Sequence, residues 1–402
     1  MFEKKINVLL SFVLLFHAVP VSAEVFEYKY RAGEKYRIVS EVQEDVYINR
    51  EYSHSARLLN RISVETLEAK DGSGLLHGRF QTSERSVGKY STYELTEDYE
   101  SLFWRDSRGY YDIDKQYYMP VVRDVPVFPE RDILPGDTWS AEASEVHDFR
   151  ESFHLPQPYE FPVTVSYQYI GKDETGRFDF ISIKYSVFHK SQFTGMGRNT
   201  ALYPVRVTGY SNQILKWDNR AGRPHSYSEE FDLVLDLSSG DSIEYAGTAK
   251  AEVVESEDMD KDALAKDMRE SLDSSGFNNV AVEKVDEGVK VTIDNIQFQP
   301  DSYELMDVEL HKIEKIGEIL LKNPKQDILV TGHTAFAGTE EGRRVLSVQR
   351  AKAVAEYLLS LGVRKEKQIR IQGKGSSEPA ADNSTEEGRK KNRRVEITIL
   401  EN

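Results

Sequence analysis

The chain has 402 residues, a net charge of −16 and no cysteine. The length exceeds one ordinary core and predicts two or three domains. The missing cysteine excludes disulfides, thiolate metal sites and a lipidated N-terminal cysteine, and the acidic balance argues against a nucleic-acid partner.

In chain order, Lys4 and Lys5 precede an apolar run from Ile6 to Phe16, and Val21-Ser22-Ala23 supplies small residues at the cleavage positions. This pattern predicts a secretory signal peptide over 1–23, cut before Glu24. The run is shorter than the ~20 residues of a membrane helix, and no comparable run recurs. The mature chain is therefore expected in the periplasm without a helical anchor, at the periphery of the outer membrane or cell wall.

From 24 to 250 the apolar period is two. FPVTVSYQYI (161–170), ISIKYSVF (181–188), FDLVLDL (231–237) and YRIVSEVQEDVYI (36–48) alternate, and KDGSG (70–74), LPGDTW (134–139) and KDETG (172–176) punctuate them. The pattern predicts a β-rich sandwich or barrel of one or two halves, the division falling near 135. A membrane barrel would alternate too, but charges such as those in EVQEDVYINREYS interrupt it, which favours a periplasmic domain. Aromatic residues crowd 90–118 and include Trp104. They are either wall-facing stacking platforms or, more simply, cross-strand pairs and core.

The pattern then changes. Leu264, Met268 and Leu272 recur at helical spacing with a stop at Gly276, followed by two short strands, 279–285 and 289–293. We read 251–288 as a small α/β module or linker. Beyond it a strand reaches Pro300, a helix carries Met306, Leu310, Ile313, Gly317 and Leu320 on one face, and strands are expected at 327–332, 368–373 and 394–400 around a helix at 340–361. Strand–helix alternation over 289–402 predicts a two-layer α/β sandwich. Thr339 before Glu340 and Glu341 reads as a helix cap. His333 reads as a hydrogen-bonded structural histidine.

The order and spacing of IQFQPDSYEL, TGHTAFAG, LSVQRAKAVAEYL, GKGSSEP and NSTEEGRKKNRRVEI resemble the OmpA C-terminal family over 289–402. The resemblance implies noncovalent attachment to peptidoglycan, with the diamino acid of the stem peptide as ligand and other envelope proteins as further partners. Gly332, Thr334, Gly338, Leu346, Ser347, Arg350 and Ala351 match the family pattern, as do Asn383, Arg389, Asn392 and Arg393. Ala335 stands where the family has an aspartate, and Arg343 where it has an asparagine. Losing a charge-assisted partner costs ~1.5–3 kcal/mol, whereas Arg350 still offers a two-pronged grip on a carboxylate. Arg343 lies about two helical turns, ~10.5 Å, from Arg350. The expected pocket, Thr334, Ala335, Gly338, Arg343, Leu346, Arg350, Asn383, Arg389 and Arg393, is thus more cationic than its pattern. As structural alternatives, Arg350 would pair with Glu340, Glu341 or Glu396, and Arg393 would brace the core.

No G-x-S-x-G elbow or H-E-x-x-H spacing occurs, and the nine histidines are scattered, His147 and His154 among them. No enzyme, cofactor or metal site is expected. The two functional readings are an envelope protein with impaired or altered peptidoglycan association, and a structural protein whose OmpA-like domain serves protein contacts instead.

Overall fold

A computed structural model describes residues 23–401, apart from 87, 89, 156, 192–201, 256–258, 278 and 300–302. The expected signal peptide and Pro300 thus lie outside the described residues, save Ala23. The N-terminal region contains β1 (Lys35–Ile48), β2 (Glu51–Lys70), β3 (Ser73–Ser86), β4 (Thr92–Arg105), β5 (Tyr111–Ile113), β6 (Val122–Arg123), β7 (Thr138–His147), β8 (Tyr159–Lys172), β9 (Asp179–Lys190), β10 (Pro204–Asp218), β11 (Arg223–Leu237) and β12 (Ser242–Glu255). A single helical turn, α1 (Arg150–Phe153), follows β7.

These strands form one antiparallel ladder. It runs β5-β4-β3-β2-β1-β12-β11-β10-β9-β8-β7-β6. The ladder is an open sheet and not a closed barrel. The pairing of β1 with β12 joins the first five strands to the last seven, so the region before and after residue 135 shares one sheet. Alternation is cleanest in β8, where Tyr159, Phe161, Val163, Val165, Tyr167 and Tyr169 are buried and their neighbours face solvent. They pack with Phe26, Tyr28, Phe128 and Trp217 in the larger core, and Tyr36, Val64, Leu76, Phe80 and Phe103 form a smaller one. In the 90–118 stretch, Phe103 stacks near Tyr111, Tyr99 near Tyr118, and the Arg105 guanidinium lies 3.9 Å from the Tyr28 ring centre. His147 is bound to Glu145 at 2.8 Å and stacks on Phe149 and Phe161.

After Glu255 the chain forms α2 (Lys261–Asp273), β13 (Val280–Val285), β14 (Gly288–Asp294), α3 (Asp307–Leu320), β15 (Ile328–Gly332), α4 (Glu340–Ser360), β16 (Ile369–Gly373), α5 (Glu386–Asn392) and β17 (Arg394–Leu400). The sheet order is β13-β14-β17-β15-β16, with β15 and β16 parallel and the other pairs antiparallel. Helices α2, α3 and α4 supply the second layer. Leu264, Ala265, Met268 and Leu272 of α2 are buried in the same core as Val291, Ile316, Val330, Val354 and Ile397. Helix α2 and strand β13 therefore pack into the two-layer sandwich, whereas 251–255 belong to β12 of the N-terminal sheet. Among the described residues no helix is long and apolar enough to cross a membrane.

The two regions meet at a sheet edge. Arg370 and Ile371 of β16 pair in parallel with Tyr93 and Glu94 of β4. An edge strand left open would expose unpaired amides and carbonyls; here β4 covers part of it. Ion pairs extend the contact: Asp327 meets Arg37 at 3.0 Å and Arg61 at 2.8 Å, and Arg79 meets Glu287 at 2.6 Å.

Candidate functional site

The expected pocket residues lie on three pieces of chain: the loop after β15, the first half of α4, and the loop with α5. Close approach at β15 sets the arrangement. A Cβ on Gly332 would stand 2.0 Å from the Ser347 carbonyl oxygen, so only glycine lets α4 sit this near the strand end. Ser347 is fully buried and its Oγ accepts from the Gly375 amide at 2.9 Å. Thr334 N in turn donates to the Gly375 carbonyl at 2.8 Å. Thr339 starts α4, its Oγ1 accepting from Gly342 N at 3.1 Å, with Glu340 and Glu341 in the first turn, where acids suit the positive end of the helix dipole.

The second half of the pocket pattern positions backbone. Asn392 is fully buried; its Oδ1 accepts from Ala380 N and Ala381 N, and its Nδ2 donates to Ala381 O and to Asn383 Oδ1. Asn383 Oδ1 also accepts from Phe336 N at 3.0 Å, which ties the two loops together. Arg389 is committed to Glu386 at 2.8 Å and to the carbonyls of Asn383 and Ser384. Arg393 pairs with Glu386 at 3.0 Å, so its guanidinium braces α5 and not the sandwich core.

What remains open is cationic. Arg350 is half-buried, with its guanidinium 5.0 Å from the Phe298 ring centre, and its buried Nε has no hydrogen-bond partner. None of its three expected acids holds it: Glu341 pairs with Arg344, Glu396 with Arg394, and no ion pair joins Arg350 to Glu340 among the described residues. Burial first, then the nearby Arg393 guanidinium, push the Arg350 guanidinium below its usual range. The buried Thr334 hydroxyl likewise finds no partner. Ala335 is 8% exposed, a small side chain with no polar atom to offer. Arg343 folds back on its own loop, donating from Nη1 to the Gly338 carbonyl at 2.6 Å and stacking 4.4 Å from the Phe336 ring centre. Gly338 sits at φ +76°, a left-handed turn that favours glycine. Leu346 is half-buried on α4. An arrangement of this kind can receive an anion at Arg350, which no carboxylate holds among the described residues.

Behind this site the His333 ring is 1% exposed, and its Nε2 stands 3.6 Å from Glu396 Oε2. That distance exceeds a hydrogen bond, so the expected hydrogen-bonded histidine is instead a buried ring beside a carboxylate. Sequence reasoning passed over Glu396 as a centre. It also meets Arg394 at 2.7 Å and Lys290 at 3.6 Å, and only the pairing of β14 with β17 brings Lys290 there.

The C-terminal part of the chain is similar to known proteins. Residues 297–393 match the OmpA family model. The peptidoglycan-binding protein ArfA of Mycobacterium bovis is 38% identical over 109 residues, 27% of this chain and 33% of that protein. Outer membrane protein A of Bordetella avium is 36% identical over 107 residues, 27% of this chain and 51% of that protein. The chain thus spans about a third to a half of the length of these relatives. An outer membrane protein structure from Borrelia burgdorferi is 39% identical, covering 30% of this chain and 96% of that one, with a TM-score of 0.26. Residues 297–393 of this chain are an OmpA family domain.

Proposed function

We propose that this chain is a non-catalytic, exported protein of the bacterial cell envelope, and that its C-terminal domain associates noncovalently with peptidoglycan through a pocket altered toward anionic groups. The observation that carries the reading is Arg350: a half-buried guanidinium without a carboxylate partner among the described residues, seated over Phe298. A guanidinium suits the two oxygens of a stem-peptide carboxylate. In this reading Thr334, Gly338 and Leu346 would line the same pocket, and Asn383, Arg389 and Arg393 hold the adjoining loop. Ala335 removes the partner for an ammonium group, which supports specificity for a carboxylate or for a diamino acid presented differently. Names of relatives such as peptidoglycan-binding protein ArfA favour the wall as the partner.

A second reading, in which the domain serves protein contacts, draws support from Arg343. It stacks on Phe336, which is 66% exposed and projects from the loop that would receive the ligand.

The test is co-sedimentation of the purified mature chain with insoluble peptidoglycan from its own organism and with wall of the diaminopimelate type. Arg350→Ala and Ala335→Asp are run beside it. Binding by wild type that Arg350→Ala abolishes supports wall association through this pocket. Binding only by Ala335→Asp overturns it and favours the protein-contact reading.

A further inference from the structure

We propose that the cleft between the N-terminal sheet and the OmpA family domain is a binding site for a tetrahedral oxyanion, phosphate or a phosphomonoester. The cleft encloses about 270 Å³. That is below the ~300–1,000 Å³ of pockets that hold drug-sized molecules, so its ligand is small.

Its floor is built of arginines from strands far apart in sequence. Arg61 of β2 is 4% exposed and Arg370 of β16 is 3% exposed, and both line the cleft. Arg61 donates from Nε to Asp327 at 2.8 Å and from Nη2 to the Lys367 carbonyl, which leaves the buried Nη1 without a partner. Arg370 donates from Nη1 to Gln81 Oε1 at 2.5 Å, and its buried Nε has none. Arg37 of β1 completes the group, sharing Asp327 with Arg61. Two guanidinium groups thus share one buried carboxylate, and a third, that of Arg370, lines the same cleft. Burial first, then Arg61, push Arg370 down to about 9.

Like charges buried together are costly unless a counter-charge joins them. The acids of the cleft do not supply it. Glu100 and Asp286 are exposed at its rim, Glu65 is half-buried but makes no ion pair with the three arginines among the described residues, Glu287 is held by Arg79, and Glu401 by Lys261. A planar carboxylate presents two oxygens in one plane. A phosphate presents up to four in different directions, which suits guanidinium forks arriving from β1, β2 and β16. The rim acids would repel larger polyanions, so the site selects a small anion that passes them. Because β1 and β2 belong to one region and β16 to the other, a bound anion would hold the two together.

The experiment uses the purified mature chain in phosphate-free buffer. Thermal unfolding and titration calorimetry are run with inorganic phosphate, with glycerol 3-phosphate and with chloride at matched ionic strength. The expected result is a rise in Tm and measurable heat with either phosphate species and neither with chloride. Tighter binding of glycerol 3-phosphate than of phosphate would identify the phosphomonoester as the ligand form, and the reverse would identify free phosphate. Arg370→Gln should weaken binding at least about tenfold, one lost charge-assisted contact on the usual scale. Arg61→Lys keeps the charge but loses the fork and should weaken it similarly, which covers the case in which Arg370→Gln does not fold. Equal shifts with phosphate and chloride, or equal phosphate shifts in wild type and a folded variant, would overturn the proposal.

Discussion

The backbone amide of Phe336 donates to Asn383 Oδ1 at 3.0 Å, joining two loops 47 positions apart in sequence. Asn392 holds Asn383 in turn, so a side chain that never reaches solvent sets the shape of the loop in front of α4.

Asn392→Ala therefore removes two acceptor contacts to Ala380 N and Ala381 N and two donor contacts at once. Unmet backbone groups of this kind cost roughly 1–3 kcal/mol. Urea unfolding of the purified chain should show that loss, with a smaller one for Asn383→Ala, and peptidoglycan co-sedimentation should fall in both. An unchanged unfolding midpoint for Asn392→Ala would refute the role.

Glu396 makes stability depend on acid. Burial alone would raise its carboxyl, but His333 and Arg394 outweigh that and hold it at about 2. The folded value lies below the unfolded one of ~4.3, so the carboxylate contributes stability above roughly pH 4.5 and loses it as pH falls toward 2. The gap is worth up to about 3 kcal/mol. Wild type and Glu396→Gln should differ by that order near pH 7 in denaturant titrations, and the difference should shrink toward pH 2. A difference that does not change with pH would count against it.

Met268 is fully buried between α2 and the C-terminal sheet layer. Met268→Ala should destabilise by about 2–5 kcal/mol, as large-to-small core changes do. Hydrogen exchange should show the loss spreading to β15, β16 and β17, because one core holds them all. Loss confined to 261–285 would mean that α2 and β13 fold as a separate unit.

Asp327 stands between Arg37 and Arg61 at the junction of the two regions. Asp327→Ala leaves buried guanidinium groups without their carboxylate, a change that typically costs 3–5 kcal/mol. The expected readout is faster protease cleavage within 248–262, where β12 leads toward α2, with each region's secondary structure intact by circular dichroism. Cleavage at the wild-type rate would show that the junction does not depend on this carboxylate.

Much of the local structure was legible in the residues. Period-two alternation marks β8 because a strand buried on one face must bury every second side chain, and Tyr159 to Tyr169 do so. The glycines and small residues of TGHTAFAG and LSVQRA announced the OmpA family pattern, since Gly332 and Ser347 must let α4 approach β15. Thr339 reads as a helix cap and accepts from Gly342 N. These features depend on neighbours a few positions away, so the sequence by itself determined them.

Tertiary structure decided the rest. Residues 35–48 pair with a strand more than 190 positions later, which turns two runs of alternating segments into one open sheet. Strand alternation states which face is buried but not which partner a strand takes, since every partner satisfies the same period. Arg393 reads equally well as a pocket or a core residue until α5 brings Glu386 within 3.0 Å. Arg37, Arg61, Asp327 and Arg370 carry no shared motif, and only the meeting of the two regions brings Arg37 and Arg61 onto Asp327 and Arg370 into the same cleft. Charge has no period along a chain; its effect depends on distance and burial, and those exist only once the two regions have met.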